Sequence, residues 1–175
     1  MWDRESYGPD WIQERPLAIA ALLEWRKSIF TTTSFKNGNV KAHAEASQTI
    51  VEVLCSNNLV FNGFGQHTAN DLCHLLCLHP FMPAILLCKD DTLFSRLQEV
   101  ITFYVDTFWN SKEYFHYVCG NINSDHPFEF HYNSNKAFLT SYLLTYRKSQ
   151  IAIRTPHWNF FVKSGLHDPK HIIGK

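Results

Sequence analysis

Cysteine and histidine side chains are concentrated in one stretch, NDLCHLLCLHPFMPAILLC at residues 70–88. It holds three cysteines and two histidines in nineteen positions. If the stretch is helical, Cys73 and Cys77 lie four residues apart on one face, with His74 beside them. Two thiolates at this spacing can bind zinc, but a structural site takes four ligands, usually as two close pairs. The second pair is missing, because the neighbouring cysteines and histidines are single residues at irregular spacing.

Leucines surround these cysteines, at four positions between 72 and 78, and they favour a different interpretation. A helix that is apolar nearly all the way round is typical of a domain interior. Free cysteine is also among the most buried residue types. We therefore predict a core helix that ends at Pro80 and a second helix that begins at Pro80 or Pro83. This interpretation needs no metal and no other cofactor.

A catalytic metal site is the alternative for the same cysteines. His43-Ala44-Glu45 precedes them, with 27 residues between Glu45 and Cys73. This order is similar to that of the zinc-dependent nucleoside and nucleobase deaminases, in which a His or Cys and two cysteines hold zinc and a Glu moves protons. The resemblance implies zinc on His43, Cys73 and Cys77, with Glu45 as the proton shuttle. Two departures are that no proline precedes Cys73 and that, in a continuous helix, His43 and Glu45 point about 200° apart.

Other catalytic motifs are not found in the sequence. There is no Gly-x-Ser-x-Gly, no phosphate-binding glycine-rich loop and no Gly-x-Gly-x-x-Gly. His167 and His171 have the spacing of a metal pair, but Pro169 between them disfavours a shared helical face. The sequence therefore predicts a protein that is not an enzyme, with the deaminase-like zinc hydrolase as the remaining enzymatic alternative.

Charge is unevenly distributed along a chain whose net charge is zero. Residues 1–135 contain 9 Lys/Arg and 15 Asp/Glu, whereas residues 136–175 contain 7 and 1, so the balances are −6 and +6. The basic part can meet an acidic protein or the acidic part of a second copy. Its interleaved aromatic residues also suit single-stranded nucleic acid, although a net charge of zero is poor for a dedicated nucleic-acid binder. The cations predicted to bind a partner are Arg147, Lys148, Arg154 and Lys163.

Aromatic residues are abundant, with 14 Phe, 7 Tyr and 5 Trp. Those beyond the needs of one core would lie at the surface, where Tyr, Trp and Phe are typical interface anchors. We predict such anchors near both ends of the chain. The predicted function is a non-enzymatic protein–protein interaction module, whether adaptor, complex subunit or self-assembling structural protein. The predicted anchors are Trp2, Tyr7 and Trp11 at one end and Trp158 and Phe160 at the other.

Hydrophobic spacing is helical almost throughout the chain. One helix is predicted from Pro16 to about Phe30, a second over about residues 40–55, and the clearest over about residues 92–109. Thr68 and Asp71 resemble a capping box that opens the helix containing the cysteines. The predicted core faces are Ala18, Leu22, Trp25 and Ile29; Ala46, Ile50, Val53 and Leu54; and Leu93, Leu97, Val100, Tyr104 and Phe108.

The C-terminal part predicts shorter helices. Residues 120–135 form the longest loop, and a helix with Leu139, Tyr142, Leu143 and Tyr146 on one face follows it. Thr155-Pro156 is a strong start for a last helix. The sequence as a whole predicts an all-α, single-domain bundle of seven to eight short helices over residues 1–165, with residues 166–175 as a tail. The alternative architecture that the sequence leaves open is an irregular array of helices that resembles helical repeats.

The composition bears on location. No stretch approaches 18 apolar residues, and no basic segment precedes an apolar run at the start. We therefore predict neither a signal peptide nor a membrane span. Five cysteines are an odd number in a chain with enough apolar residues for a large core, which favours reduced thiols. The predicted location is the cytoplasm or the nucleus.

Overall fold

The described part of the chain is mostly helical. The structure is a computed structural model that describes residues 7–34, 47–109, 112–114, 118, 131–146, 148–151 and 155–163. No strand occurs in these ranges, where the β-type pairing is one isolated antiparallel bridge between Thr49 and Pro83. The predicted all-α class is therefore confirmed. No helix in these ranges is long and apolar enough to cross a membrane.

The first helix, α1, spans Arg15–Ser34. In the turn before it, the Asp10 carboxylate accepts hydrogen bonds from the backbone N–H groups of Ile12, at 2.6 Å, and Gln13, at 3.0 Å. Every member of the predicted core face of this helix is buried, which confirms that face: Ala18, Leu22, Trp25 and Ile29.

The segment before α1 is joined to the loop at residues 57–64. The Gly8 N–H donates to the Asn58 carbonyl oxygen at 2.9 Å, and the Asn62 amide donates to the Gly8 carbonyl oxygen at 2.8 Å. A Cβ at Gly8 would lie 1.9 Å from the Leu59 carbonyl oxygen. Glycine is therefore required for this close approach of two backbones.

The second helix, α2, spans Ile50–Ser56 and begins with a capping box. Thr49 is extended, with φ −69° and ψ 154°, and its side chain accepts from the Glu52 N–H at 3.4 Å. The Glu52 carboxylate in turn accepts from the Thr49 N–H at 2.9 Å. The continuous helix predicted over residues 40–55 is therefore wrong at Thr49, and residues 40–46 lie outside the described ranges. Ile50, Val53 and Leu54 are buried as predicted.

The third helix, α3, spans Gln66–Leu76 and carries the cysteines. Its N-cap is Gly65, without a side-chain hydrogen bond. The capping box predicted from Thr68 and Asp71 is therefore wrong, because the helix begins two residues before Thr68. Asp71 is fully buried and bonds to other parts of the chain, as described below.

The end of α3 is formed by a backbone motif rather than by proline. Cys77 is left-handed, with φ 60° and ψ 37°. The Cys77 N–H donates to the His74 carbonyl oxygen at 3.1 Å, and the Leu78 N–H donates to that of Cys73 at 2.9 Å. This pair of bonds is a Schellman motif with cysteine where glycine is usual. The helix thus ends before Pro80, contrary to the prediction.

Two helices follow in close succession. Helix α4 spans Ala84–Lys89 with Pro83 at its N-cap, which agrees with the second of the two predicted starts. The Asp90 carboxylate then accepts from the N–H groups of Thr92 and Leu93, each at 2.9 Å. Helix α5 spans Asp91–Trp109, close to the predicted bounds.

The core lies among these five helices. Helix α5 contacts α3 and α4, α2 contacts α3 and α4, and α1 contacts α4. Phe61 is fully buried, with its ring centroid 5.3 Å from that of Trp25 in an edge-to-face arrangement and 6.0 Å from that of Phe64. Ion pairs of 2.5 Å join α1 to α5 at Arg15–Asp106 and Arg26–Asp91.

The C-terminal helices are irregular. Helix α6 spans Tyr132–Ala137 and continues as a π-helical segment, Phe138–Tyr142. Leu143 is extended, with φ −79° and ψ 129°. The predicted helical face that continued through Leu143 to Tyr146 is therefore wrong. Helix α7 spans Thr155–Lys163, which agrees with the predicted start at Thr155-Pro156.

The number and length of the helices differ from the prediction. In the described ranges, six helical segments have seven or more residues when α6 and the π-helical segment are taken as one. Helices α1 and α5 are long, with 20 and 19 residues, and shorter pieces occur at Ala84–Lys89 and Lys112–Tyr114. The predicted tail at residues 166–175 lies outside the described ranges.

Candidate partner-binding cleft

A cleft of about 290 Å³ lies at the C-terminal end of α3. Its lining is largely apolar and combines residues that are far apart in the sequence. One wall comes from α3 and the segment that follows it, and the other comes from the segment after the π-helical turn. The lining residues are Asn70, Cys73, His74, Cys77, Leu78, Pro80, Thr145 and Ile151.

A buried carboxylate fixes the second wall to α3. Asp71 is 0% exposed, and its Oδ1 accepts from the Thr145 N–H at 2.9 Å and the Thr145 hydroxyl at 2.8 Å. Its Oδ2 accepts from the Leu144 N–H at 3.0 Å and the Tyr104 hydroxyl at 3.2 Å. We call these four residues the Asp71 cluster. Four donors satisfy a carboxylate that would otherwise be costly to bury.

Tyr104 supplies the donor from α5. Burial, followed by the charge of Asp71, raises the pKa of the Tyr104 phenol well above its usual range. The hydroxyl therefore stays protonated and donates to Asp71 at neutral pH. The Asp71 cluster thus connects α3, α5 and the segment at Leu144–Thr145 by hydrogen bonds.

The cysteines of the cleft are protonated thiols at neutral pH. Burial, with a smaller contribution from Cys55, raises the pKa of Cys73 to about 12. Burial also raises the pKa of Cys77, although Arg96, which lies against this thiol, partly opposes the rise. Since the thiolate is the nucleophile and the metal ligand, both side chains act at neutral pH as small apolar groups of the wall.

Only part of the residue set of the deaminase-like alternative lies within the described residues. Cys73 and Cys77 line the cleft, whereas His43 and Glu45 lie outside the described residues. Among the residues that the structure describes, no group of three or more His, Cys, Asp or Glu side chains could hold a metal ion.

Thiol labelling tests the burial of these cysteines. In the folded protein at pH 8 we expect Cys73 and Cys88 to remain unlabelled by iodoacetamide, because burial raises the pKa of each to about 12. Cys55, which is only partly buried, is expected to react earlier. Peptide mapping by mass spectrometry measures the order, and labelling in denaturant, where every thiol reacts, is the control. Labelling of Cys73 as fast as that of Cys55 would contradict the expectation.

The predicted anchors at the N-terminal end occupy different environments. Trp2 lies outside the described residues, and Tyr7 is exposed. Trp11, predicted as a surface anchor, is in the core, where its indole N–H donates to the Val60 carbonyl oxygen at 2.8 Å. Its apolar surface is therefore used within the fold.

The predicted residues at the C-terminal end are only partly described. Arg147 and Arg154 lie outside the described residues, as does the side chain of Phe160 in α7. Lys148 is half-buried, and its ammonium group donates to the Thr140 carbonyl oxygen at 3.1 Å. Trp158 is half-buried and Lys163 is exposed, both on α7.

Two aromatic residues of the basic part are already packed inside the chain. The Tyr142 ring centroid is 4.9 Å from that of Tyr114 and 6.1 Å from that of Phe108. The Tyr146 ring centroid is 3.7 Å from that of His67. These rings attach the segments that contain Tyr142 and Tyr146 to other parts of the chain. The ring faces used in these contacts are therefore covered by the protein's own side chains.

Sequence reasoning missed Asp71, Thr145 and Ile151. The available signal for Asp71 was a single carboxylate in a stretch that is otherwise apolar nearly all round. A carboxylate in such a stretch is expected to be buried, and a buried charge needs hydrogen-bond donors from elsewhere in the chain. Thr145 and Ile151 carry no comparable signal, because their role depends on packing against residues some seventy positions away.

Comparison with protein-family models, with curated proteins and with solved structures finds no match to this chain. The functional proposal therefore depends on the geometry of the cleft and on the charge pattern of the chain.

Proposed function

We propose that this protein is a non-enzymatic protein–protein interaction module that binds its partner at the cleft. One observation carries the proposal. Two distant parts of the chain form an apolar cleft, and exposed apolar side chains lie in its lining or next to a lining residue in the sequence. Ile151, in the lining, is 43% exposed, and Phe81, next to the lining residue Pro80, is 71% exposed. An apolar site beside exposed apolar side chains supports protein binding, since such groups become buried at interfaces.

Two features of the cleft favour binding over catalysis. Its thiols are protonated at neutral pH, and the carboxylate behind it accepts four hydrogen bonds and so has no free role as a base.

The four described cysteines are all free thiols, which supports a cytoplasmic or nuclear location. Binding of single-stranded nucleic acid and zinc-dependent hydrolysis remain alternative predictions.

Site-specific photo-crosslinking tests the proposal. With p-benzoylphenylalanine in place of Ile151, we expect a discrete adduct with a partner protein on irradiation in cells. The matched control places the same group at Phe103, which is 56% exposed on α5 and is not part of the cleft. Mass spectrometry of the adduct separates a foreign partner from a second copy of the chain. No adduct, or equal adducts from both positions, would contradict the proposal.

A further inference from the structure

We infer that the cleft takes an acidic peptide segment of a partner protein, with one bulky apolar side chain inserted into it. This inference rests on the proposed function and adds the chemistry of the partner. Three observations carry it: the volume of the cleft, the character of its lining, and the charges around it.

The volume suits one side chain. At about 290 Å³ the cleft is just below the range of about 300–1,000 Å³ in which proteins bind drug-sized molecules. A single Leu, Met, Phe or Trp side chain needs less room than such a molecule and can be surrounded here on several sides. Anchors of this kind contribute most of the free energy of binding at many interfaces.

The lining suits an apolar group. Leu78, Pro80 and Ile151 contribute carbon atoms, and the thiols of Cys73 and Cys77 are uncharged at neutral pH. Since burial of apolar surface is favourable, an apolar side chain gains free energy here that a polar one would not.

The charges around the cleft suit an acidic segment. No Asp or Glu occurs among the described residues that line it. Arg96 lies against the Cys77 thiol, and Lys148 lies between the lining residues Thr145 and Ile151 in the sequence. The Asp71 carboxylate is fully buried and does not line the cleft.

Complementary charge therefore favours acidic residues on both sides of the anchor, and it also favours fast association. A basic or neutral segment with the same anchor would fill the cleft but would lose this attraction. The expected ligand is thus defined by its apolar anchor and by the acidic residues on both sides of that anchor. These two properties can be varied independently in a synthetic peptide.

Peptide display against the immobilised full chain tests the inference. From a random library of twelve-residue peptides, we expect enrichment of sequences with one Leu, Met, Phe or Trp flanked by Asp or Glu. The best fluorescein-labelled peptide is then titrated by fluorescence anisotropy. Its Kd is expected to rise about tenfold between low and high salt, because salt screens attraction between exposed charges.

Matched variants locate the peptide. Ile151→Asp is expected to abolish binding, and Lys148→Glu to weaken it at least about tenfold. Lys148→Met keeps most of the side-chain stem and is expected to weaken binding less. Phe103→Asp and Lys89→Glu change an exposed apolar group and an exposed cation that do not line the cleft, and both variants are expected to bind as the parent does. Unfolding midpoints of all variants identify any that fail to fold.

The outcomes separate the two proposals. Enriched peptides that are neutral or basic, or that bind independently of salt, overturn the acidic segment while leaving protein binding intact. Binding that is lost with Phe103→Asp and kept with Ile151→Asp overturns the cleft as the site. Recovery of no peptide, together with no crosslinked partner, overturns the proposed function itself.

Discussion

Replacing Asp71 by alanine is expected to lower the free energy of unfolding by about 3–5 kcal/mol, because two backbone N–H groups and two hydroxyl groups lose a charged acceptor, and a hydrogen bond to a charged group contributes about 1.5–3 kcal/mol. The four donors of the Asp71 cluster would lose their acceptor. The cluster offers no other acceptor to the backbone N–H groups of Leu144 and Thr145. A buried donor left without a partner costs about 1–3 kcal/mol. Urea denaturation followed by far-UV circular dichroism measures the change.

Two further variants interpret this result. Asp71→Asn keeps the shape and one acceptor oxygen but turns an N–H₂ group toward donors, so we expect a smaller but clear loss of stability. Glu99→Ala removes an exposed carboxylate from α5 and is expected to change stability by less than about 0.5 kcal/mol. A result in which Asp71→Ala resembles Glu99→Ala would show that the cluster contributes little.

Replacing Phe61 by alanine is expected to cost about 3–5 kcal/mol through lost burial and the cavity that remains. Phe61 is fully buried and its ring packs against Trp25 and Phe64. The deleted ring therefore leaves a space between aromatic neighbours that can close only in part. The urea midpoint measures the loss, and an unchanged slope of the transition shows that the variant still unfolds cooperatively.

The matched control for this ring is Phe103. Its side chain is 56% exposed on α5, so Phe103→Ala is expected to stay within about 0.5 kcal/mol of the parent. Equal losses for the two phenylalanines would mean that Phe61 is not at the centre of the core.

The long helices were predictable from the sequence because their apolar spacing holds over several turns. Helix α1 buries the predicted face. On α5, Leu97 and Tyr104 of the predicted face are buried, whereas Leu93, Val100 and Phe108 are half-buried and the adjacent Phe94 and Ile101 are buried instead. The break at Thr49 was harder, since the apolar spacing of residues 46–54 continues across it. The pattern Thr-x-x-Glu at Thr49–Glu52 was the local sign of a new helix start. The end of α3 had no such sign, because a cysteine holds the left-handed position.

The cleft was only half predictable. The cysteines were correctly expected in an apolar environment, since leucines surround them in the sequence. The opposite wall depends on Thr145 and Ile151, which approach α3 because Asp71 binds the segment that holds them. Such a contact between distant parts of the chain leaves no periodic pattern, so spacing along the sequence cannot indicate it.

The hydrogen bonds of Leu144 and Thr145 to Asp71 have a consequence for exchange with solvent. Their two amide protons can exchange with deuterium only when the Asp71 cluster opens, which is a local event with its own free energy. An occupant that contacts Thr145 or Ile151 stabilises the closed state by its free energy of binding. The exchange rates of these two amides thus report occupancy of the cleft without any label.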